Sequence, residues 1–350
     1  MRRKRALHLC VMNRNLGDNA LNLAIRRMVK PLFKVSHMKL ISNDFGPEAM
    51  EKLTKVEVII FGGGGLIHSY GPHGNPWQRT GTMWDIELDN LRAIQGKIVL
   101  YGVGFNHFHN ERGPTDQMGD FFRILLEKQA IVAFRNDGSK ERFLSFFPEF
   151  YHAKIEEIPD PGGFYRPPPA RSKRPYVLLQ IAADRLPLRY GDRFDEFLAF
   201  IDEICKEIQE DIYLIPHTVD DERLYRSLEL SFPVKVLPLR RHWLWTRRMI
   251  GLYGGAEFTI STRGHSQICS VGNGVPTFSI STHPKVWGFA ESAGLSGWCY
   301  RFHEEAVDSG QRKFWAFFEN IAFIRAHLKK INQKFDEQNH CFLQTLRGIG

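Results

Sequence analysis

An arginine, a glycine and a histidine stand in succession at 263–265, just past the expected strand 257–261, and Lys285 follows the next expected strand, 276–280. Guanidinium and ammonium groups bind phosphate and carboxylate. Histidine exchanges protons near neutral pH, and a glycine leaves its amide open to close approach. Arg263, Gly264, His265 and Lys285 therefore read as a compact pocket for a small anion with a proton donor in it. A lone histidine is more often structural than catalytic. Arg-Gly-His at a strand end, with a lysine after the next strand, points to function.

Other strand ends carry less decisive groups. Asp18, after the first apolar run, is either a helix cap or a group facing a ligand. The run Gly62-Gly63-Gly64-Gly65 reads as a loop after the third strand. There the amides of Gly63 and Gly64 can approach a phosphate or sugar, or the glycines simply make a tight turn. No Gly-Lys-Ser/Thr follows, so it is not a P-loop. The long stretch behind it holds His68, Tyr70, His73, Trp77 and Arg79, types that suit sugar recognition. Arg135 ends another strand, where it is either a carboxylate or phosphate clamp or one half of an ion pair with Asp137 or a neighbouring acid. His217 follows a strand in Pro216-His217-Thr218 and joins the candidate substrate-binding residues. His68, His73, His107 and His109 share no carboxylate or cysteine cluster, so no metal is expected.

These residues are placed by alternating strand and helix signals. In the first half, strands are expected at 7–12, 34–40, 56–61, 97–102 and 130–134, with helices at 20–29, 48–55, 85–95, 121–128 and 139–147. Residues 159–175 carry six prolines and two glycines and read as a linker. The second half repeats the alternation, with strands at 176–181, 211–215, 234–237, 257–261 and 276–280, and residues 311–346 are mostly helical. The expectation is an α/β fold: two doubly wound, Rossmann-like domains facing a cleft, at 1–165 and 176–310, and a C-terminal helical tail at 311–350. In such sheets ligands bind at the carboxyl ends of the strands.

Composition sets the class. The chain has 350 residues, 43% hydrophobic and 25% charged, which excludes a disordered chain. No apolar run approaches the ~18–20 residues that span a bilayer. Met1-Arg-Arg-Lys-Arg resembles the start of a secretory leader, but the apolar run behind it is too short and reads as a strand. Five widely spaced cysteines fit a reducing cytoplasm. The net charge of +8 suggests anionic partners. Residues 239–248 interleave four arginines and a histidine with Trp243, Leu244 and Trp245. That pattern suits either a surface helix with tryptophan inside and arginine outside, or contact with the inner face of a membrane. Nucleic acid is not expected as a partner.

Taken in order, Asn15-Leu16-Gly17-Asp18, Gly62 to Leu66, Gly102-Val103-Gly104, Arg135 with Ser139, Asp160-Pro161, Pro216-His217, Arg263-Gly264-His265, Gly274-Val275-Pro276 and Lys285 to Phe289 resemble the polysaccharide pyruvyl transferase family. The resemblance spans about residues 6–295. It implies a fold like the two-Rossmann (GT-B) glycosyltransferases. It also implies pyruvyl transfer from phosphoenolpyruvate onto a sugar, usually as a cyclic ketal, with release of phosphate and no further cofactor. By motif, Arg135, Arg263, the Gly264 backbone and His265 would bind phosphoenolpyruvate, with Lys285 nearby. His265 would supply the proton and Asp18 would act as base or acceptor anchor. The acceptor is a sugar, free, polymeric or lipid-linked. The chain departs from the family pattern at Asn136-Asp137-Gly138, where acidic residues are more usual, and in its basic, aromatic 239–248 tract. Two other readings stay open: a sugar-nucleotide glycosyltransferase of the same fold, with Glu291 toward the ribose, and a catalytically silent glycan- or anion-binding relative.

Overall fold

The computed structural model describes residues 2–11, 15–39, 46–68, 80–84, 86–108, 113–239 and 243–349. Tyr70, His73, Trp77, Arg79 and His109 lie outside them. The strands are β1 (Arg5–Cys10), β2 (Lys34–Lys39), β3 (Val58–His68), β4 (Lys97–Asn106), β5 (Ile131–Arg135), β6 (Ile155–Ile158), β7 (Tyr176–Gln180), β8 (Asp211–Leu214), β9 (Val234–Val236), β10 (Thr259–Ser261), β11 (Thr277–Ser281) and β12 (Cys299–Arg301). Among the described residues they form two six-stranded sheets, ordered β2-β1-β3-β4-β5-β6 and β12-β11-β10-β7-β8-β9. Every ladder is parallel. Read from β9, the second sheet has the 3-2-1-4-5-6 order of a Rossmann fold. The expected α/β, doubly wound class holds.

Parallel sheets need cover on both faces, which is why their strands are nearly continuous apolar runs. In β4, Ile98 and Leu100 enter one core, and Val99 and Tyr101 enter the core on the opposite face. In β7, Val177 and Leu179 face one core, and Tyr176 and Leu178 the other.

The chain divides into two compact units. The first is Met1–Met12, Leu21–Pro161 and Asp336–Gly350; the second is Asn13–Ala20 and Gly162–Phe335. The longest boundary between them falls at Pro161/Gly162. The tail, however, forms no separate unit. Its long helix, Ile321–Arg347, ends in the first unit. There Phe342 and Leu346 close one core, and the Tyr101 hydroxyl donates to Asn339 Oδ1 at 3.0 Å. The opposite exchange occurs at the front. The first turn of the helix Leu16–Val29 groups with the second unit, because Leu16 and Ala20 pack among Tyr176, Leu178, Ile215, Met249, Ile250 and Tyr253. Asp18 therefore belongs to the second unit and not to the first.

Two sequence readings change in the first unit. The glycines 62–65 are not a loop: they lie inside β3, with Gly62 opposite Tyr101 and Gly64 opposite Val103 in β4. A Cβ on Gly63 would stand 1.9 Å from Leu21 Cδ2, so the residue is glycine to let the helix close on the sheet. Gly64 has a φ of 104°, beside a register shift in the β3–β4 ladder. Both are buried packing positions, not an anion loop.

Arg135 is also reassigned. Its side chain is 2% exposed, with Nε 2.6 Å from Asp137 Oδ2 and Nη1 3.2 Å from Asp160 Oδ2. Gly104 makes room for it, since a Cβ there would stand 2.5 Å from Arg135 Nε. Asn136 Oδ1 accepts the Asp160 amide, and Ser139 Oγ accepts the Phe105 amide. The Arg-Asn-Asp-Gly-Ser sequence thus ties the ends of β4, β5 and β6 through buried, matched charges. Of the two readings of Arg135, the ion pair is the one found.

Candidate active site

In the second unit the strand order reverses between β7 and β10, whose last residues, Gln180 and Ser261, are register partners. Ligands of doubly wound sheets bind outside the strand ends at this reversal. The chain after β10 supplies Thr262 and Arg263, then turns into the helix Gly264–Gly272. The Arg263 carbonyl accepts the amides of Ser266 and Gln267 at 3.0 and 3.2 Å, which starts the helix.

The Arg263 guanidinium is buried and binds two carboxylates with one nitrogen. Nη2 contacts Asp184 Oδ1, and lies 2.7 Å from Asp221 Oδ1. Burial works against its charge, but Asp184 and Asp221 outweigh burial and raise its pKa above the ordinary value. Asp184, just after β7, also accepts Arg189 Nη2 at 2.8 Å. Burial would raise its carboxyl; Arg189 and then Arg263 hold it well below the usual carboxylate range.

Asp221 is wholly buried and joins three strand ends. Oδ1 accepts the Ala183 amide (2.9 Å), beyond β7, as well as Arg263, beyond β10. Oδ2 accepts the amides of His217 and Thr218 (both 2.9 Å), beyond β8. It also closes a capping box with Thr218 at the start of the helix Val219–Ser227. Asp184, Arg189 and Asp221 carry this site; of the three, the sequence marks only Asp221, close behind Pro216-His217-Thr218, and without a role. Thr218-x-x-Asp221 was a usable signal, as a capping box after a strand. Asp184 and Arg189 had none beyond following β7.

His265 opens the helix Gly264–Gly272. Its Nδ1 lies 3.6 Å from Asp18 Oδ1. Asp18 is held there by local structure. Asn15 Oδ1 accepts the Gly17 amide at 2.8 Å, and the Leu16 amide donates to the His217 carbonyl at 2.9 Å. Asn15, not Asp18, is thus the cap of this helix. The structure brings Asp18 and His265 together as a pair. Gly17 makes the approach possible, for a Cβ there would stand 2.2 Å from His265 Cβ. Gly17→Ala is therefore expected to displace the imidazole and cut turnover by about 100-fold, the scale of a 1 Å misplacement. A steady-state assay beside a melting curve checks this, and loss of folding without a loss of specific activity would count against it.

Lys285 completes the cluster. His283 Nδ1 accepts the Lys285 amide at 3.1 Å and caps the helix Pro284–Ser292. The Lys285 stem crosses the start of the neighbouring helix, its Cγ, Cδ and Cε 3.6–3.7 Å from where a Cβ on Gly264 would be. Its charge is among those that lower Asp184. At the strand ends, then, three cations (Arg189, Arg263, Lys285) surround two carboxylates (Asp184, Asp221), beside the His265–Asp18 pair and the first amides of a helix. Such a set has the charge and the donors to hold an anion and to move a proton.

The family model for polysaccharide pyruvyl transferase matches residues 15–284. The chain belongs to the polysaccharide pyruvyl transferase family. The match takes in Asp18, Arg135, His217, Arg263, Gly264 and His265 and stops one residue short of Lys285. No curated protein matches the sequence significantly. Several solved structures share the fold at low identity. The Staphylococcus aureus MnaA–UDP structure has a TM-score of 0.55 and 9% identity, over 93% of this chain and 90% of that one. A putative UDP-N-acetylglucosamine 2-epimerase from Listeria monocytogenes has 0.54 and 9%, over 95% and 91%. An O-GlcNAc transferase mutant from Thermobaculum terrenum has 0.50 and 14%, over 99% and 68%. These likenesses show the fold, two Rossmann-like units of the GT-B-like class.

Within this pyruvyl transferase family member, His217 has a supporting place rather than a ligand-facing one. It is wholly buried, and its Nε2 lies 2.6 Å from the Tyr253 hydroxyl, which donates to Ser266 Oγ at 2.9 Å. Nε2–H is therefore the donor, and the ring is neutral. Burial and then the charge of Arg263 push its pKa well below the ordinary value. In the first unit His8, wholly buried with Nε2 3.0 Å from the Gly62 carbonyl, is lowered to about 3, chiefly by burial. Both rings are neutral when folded and protonate when unfolded at about pH 6.5. Their stabilisation is complete above that pH and is lost as pH falls, toward about 3 for His8. Going from pH 7 to pH 5 should cost the first unit about 2 kcal/mol from His8. Denaturant midpoints at the two pH values, compared with those of His8→Asn, measure it. An unchanged difference in the variant would refute the contribution of His8.

Among the described residues no three histidine, cysteine, aspartate or glutamate side chains stand close enough to hold a metal ion.

Proposed function

We propose that this protein moves the pyruvyl group of phosphoenolpyruvate onto two hydroxyls of a sugar in a glycan precursor, forming a cyclic ketal and releasing phosphate. The observation that carries this reading is the His265–Asp18 pair at the start of the helix Gly264–Gly272, with Lys285 across that start and Arg263 beneath. Phosphoenolpyruvate is a small polyanion, and cations beside helix amides match its phosphate and carboxylate.

The chemistry needs one proton delivered and two removed. His265 donates to C3 of the enol, which becomes a methyl group and leaves C2 electrophilic. The first sugar hydroxyl adds to C2 and gives up its proton, with Asp18 and the newly basic His265 as acceptors. The second hydroxyl adds as the C2–O bond to phosphate breaks, and its proton leaves with phosphate. Nothing in this sequence of steps calls for a redox group.

A sugar-nucleotide reaction finds less support. Glu291, the candidate ribose ligand, is exposed in the last turn of the helix Pro284–Ser292, about 9 Å along the axis from Lys285.

The acceptor side of the proposal includes a lipid-linked sugar at the cytoplasmic membrane face. No described helix is long and apolar enough to cross a membrane. The helix Trp243–Gly255 buries Thr246, Met249, Ile250 and Tyr253 and exposes Leu244, Arg247 and Arg248, the last 5.3 Å from the Trp245 ring centre. Charge reversal at Arg247 and Arg248 should abolish sedimentation with anionic liposomes.

The deciding experiment is calorimetry with phosphoenolpyruvate on wild type and Arg263→Ala, followed by phosphate release with candidate sugars. Binding lost in the variant supports the donor site. No binding by the wild type, with sugars present, would move the reading to a glycosyltransferase or a catalytically silent relative.

A further inference from the structure

Asp184 is the accessible member of the ion-pair set it forms with Arg189, Arg263 and Asp221. Its side chain is 36% exposed, whereas those of Arg189 and Arg263, its two partners, are 1% and 6% exposed. One oxygen contacts Arg263 Nη2, and the other takes Arg189 Nη2 at 2.8 Å. Arg189 is further fixed by Nε to the Asp184 carbonyl (2.9 Å) and Nη1 to Thr282 Oγ1 (3.4 Å), beyond β11. It thereby spans the ends of β7 and β11. A carboxylate gripped by two guanidiniums at the strand-order reversal has the shape and charge of a bound anionic ligand.

The segment carrying it is strained. Arg185, the next residue, has φ 56° and ψ 46°, a left-handed conformation uncommon for a residue other than glycine. Such strain persists only where surrounding contacts impose it; here the Arg185 carbonyl accepts the Leu188 and Arg189 amides at 2.9 and 3.1 Å, and the side chain of the preceding residue, Asp184, is held by Arg189 and Arg263. Release of that carboxylate would take one acceptor from both Arg189 and Arg263 and leave Asp221 as the carboxylate on Arg263.

We infer that Asp184 holds the seat of the substrate's anionic group in the unliganded protein, that a phosphate or carboxylate of the ligand displaces it, and that Arg189 is then a ligand-binding arginine beside Arg263. This deepens the proposed function and rests on it for the identity of the ligand, a small phosphorylated or carboxylated acid. It adds Arg189 to the binding residues and gives Asp184 the role of an internal competitor.

The two roles open to Asp184 predict opposite signs. If it only supports the arginines, its loss weakens anion binding. If it competes, its loss strengthens binding. Inorganic phosphate and phosphoenolpyruvate would be titrated calorimetrically into the full-length wild type, Asp184→Asn, Asp184→Glu and Arg189→Met. Asp184→Asn should bind phosphate on the order of tenfold more tightly, Asp184→Glu no more tightly than wild type, and Arg189→Met at least tenfold more weakly. Equal or weaker phosphate binding by Asp184→Asn overturns the inference. Should that variant not fold, undiminished phosphate binding by Arg189→Met overturns it independently. Tightened phosphate binding with no phosphoenolpyruvate binding by any form would keep the seat and reject the donor. Phosphoenolpyruvate binding that is equal in wild type and Asp184→Asn would keep the donor and reject the competition.

Discussion

His265→Asn should bind phosphoenolpyruvate within a few-fold of wild type and turn over about 10²–10⁴ times more slowly, the usual contribution of a positioned acid or base. Asparagine keeps a donor on the side of Asp18 but has no proton to give C3 near neutral pH. The loss should therefore fall on kcat. Asp18→Asn, which keeps the shape and removes the charge opposite Nδ1, should lie between the two. Phosphate release at saturating donor and acceptor measures both. A variant with full turnover would show that the proton reaches C3 from elsewhere, and one that fails to bind the donor would make His265 a binding group.

Asp221→Ala should be the most destabilising single change at the site, by about 3–5 kcal/mol, the usual cost of removing one partner of a buried ion pair. Four donors lose their acceptor together: Arg263 and the amides of Ala183, His217 and Thr218. Three of the strands that build the site end at these residues. Asp221→Asn retains one acceptor oxygen and should cost less. Urea unfolding followed by circular dichroism gives the difference, and a change below about 1 kcal/mol would show that the strand ends hold their places without this carboxylate. Donor affinity should fall in parallel, because Asp221 is one of the two groups that orient Arg263.

The legible part of this protein follows from local rules. Alternating apolar strands and amphipathic helices recur in both halves, and the sheets they form are parallel and covered on both faces. Residues 159–175 were marked by proline, and the units divide at Pro161/Gly162. The missed elements were short or carried few apolar residues. β12 has three residues, and β6 is an edge strand with two glutamates in four. Gly63 reads as a turn because a glycine in a turn and a glycine under a helix look alike until the helix is placed, and Gly64 because its positive φ belongs to a shift within the ladder.

By itself the sequence determined the fold class, the family, and the Arg-Gly-His and Lys285 positions at successive strand ends, since each depends on residue type and on spacing along the chain. Only the tertiary structure decided which charges meet. It sent Arg135 into a buried triad with Asp137 and Asp160, carried Asp18 to His265 across 247 positions of sequence, and closed Asp184 and Asp221 on Arg263. The physical reason is that an ion pair is set by distances of a few ångströms between strand ends, and strand order, which decides those distances, is fixed by packing and not by neighbouring residues.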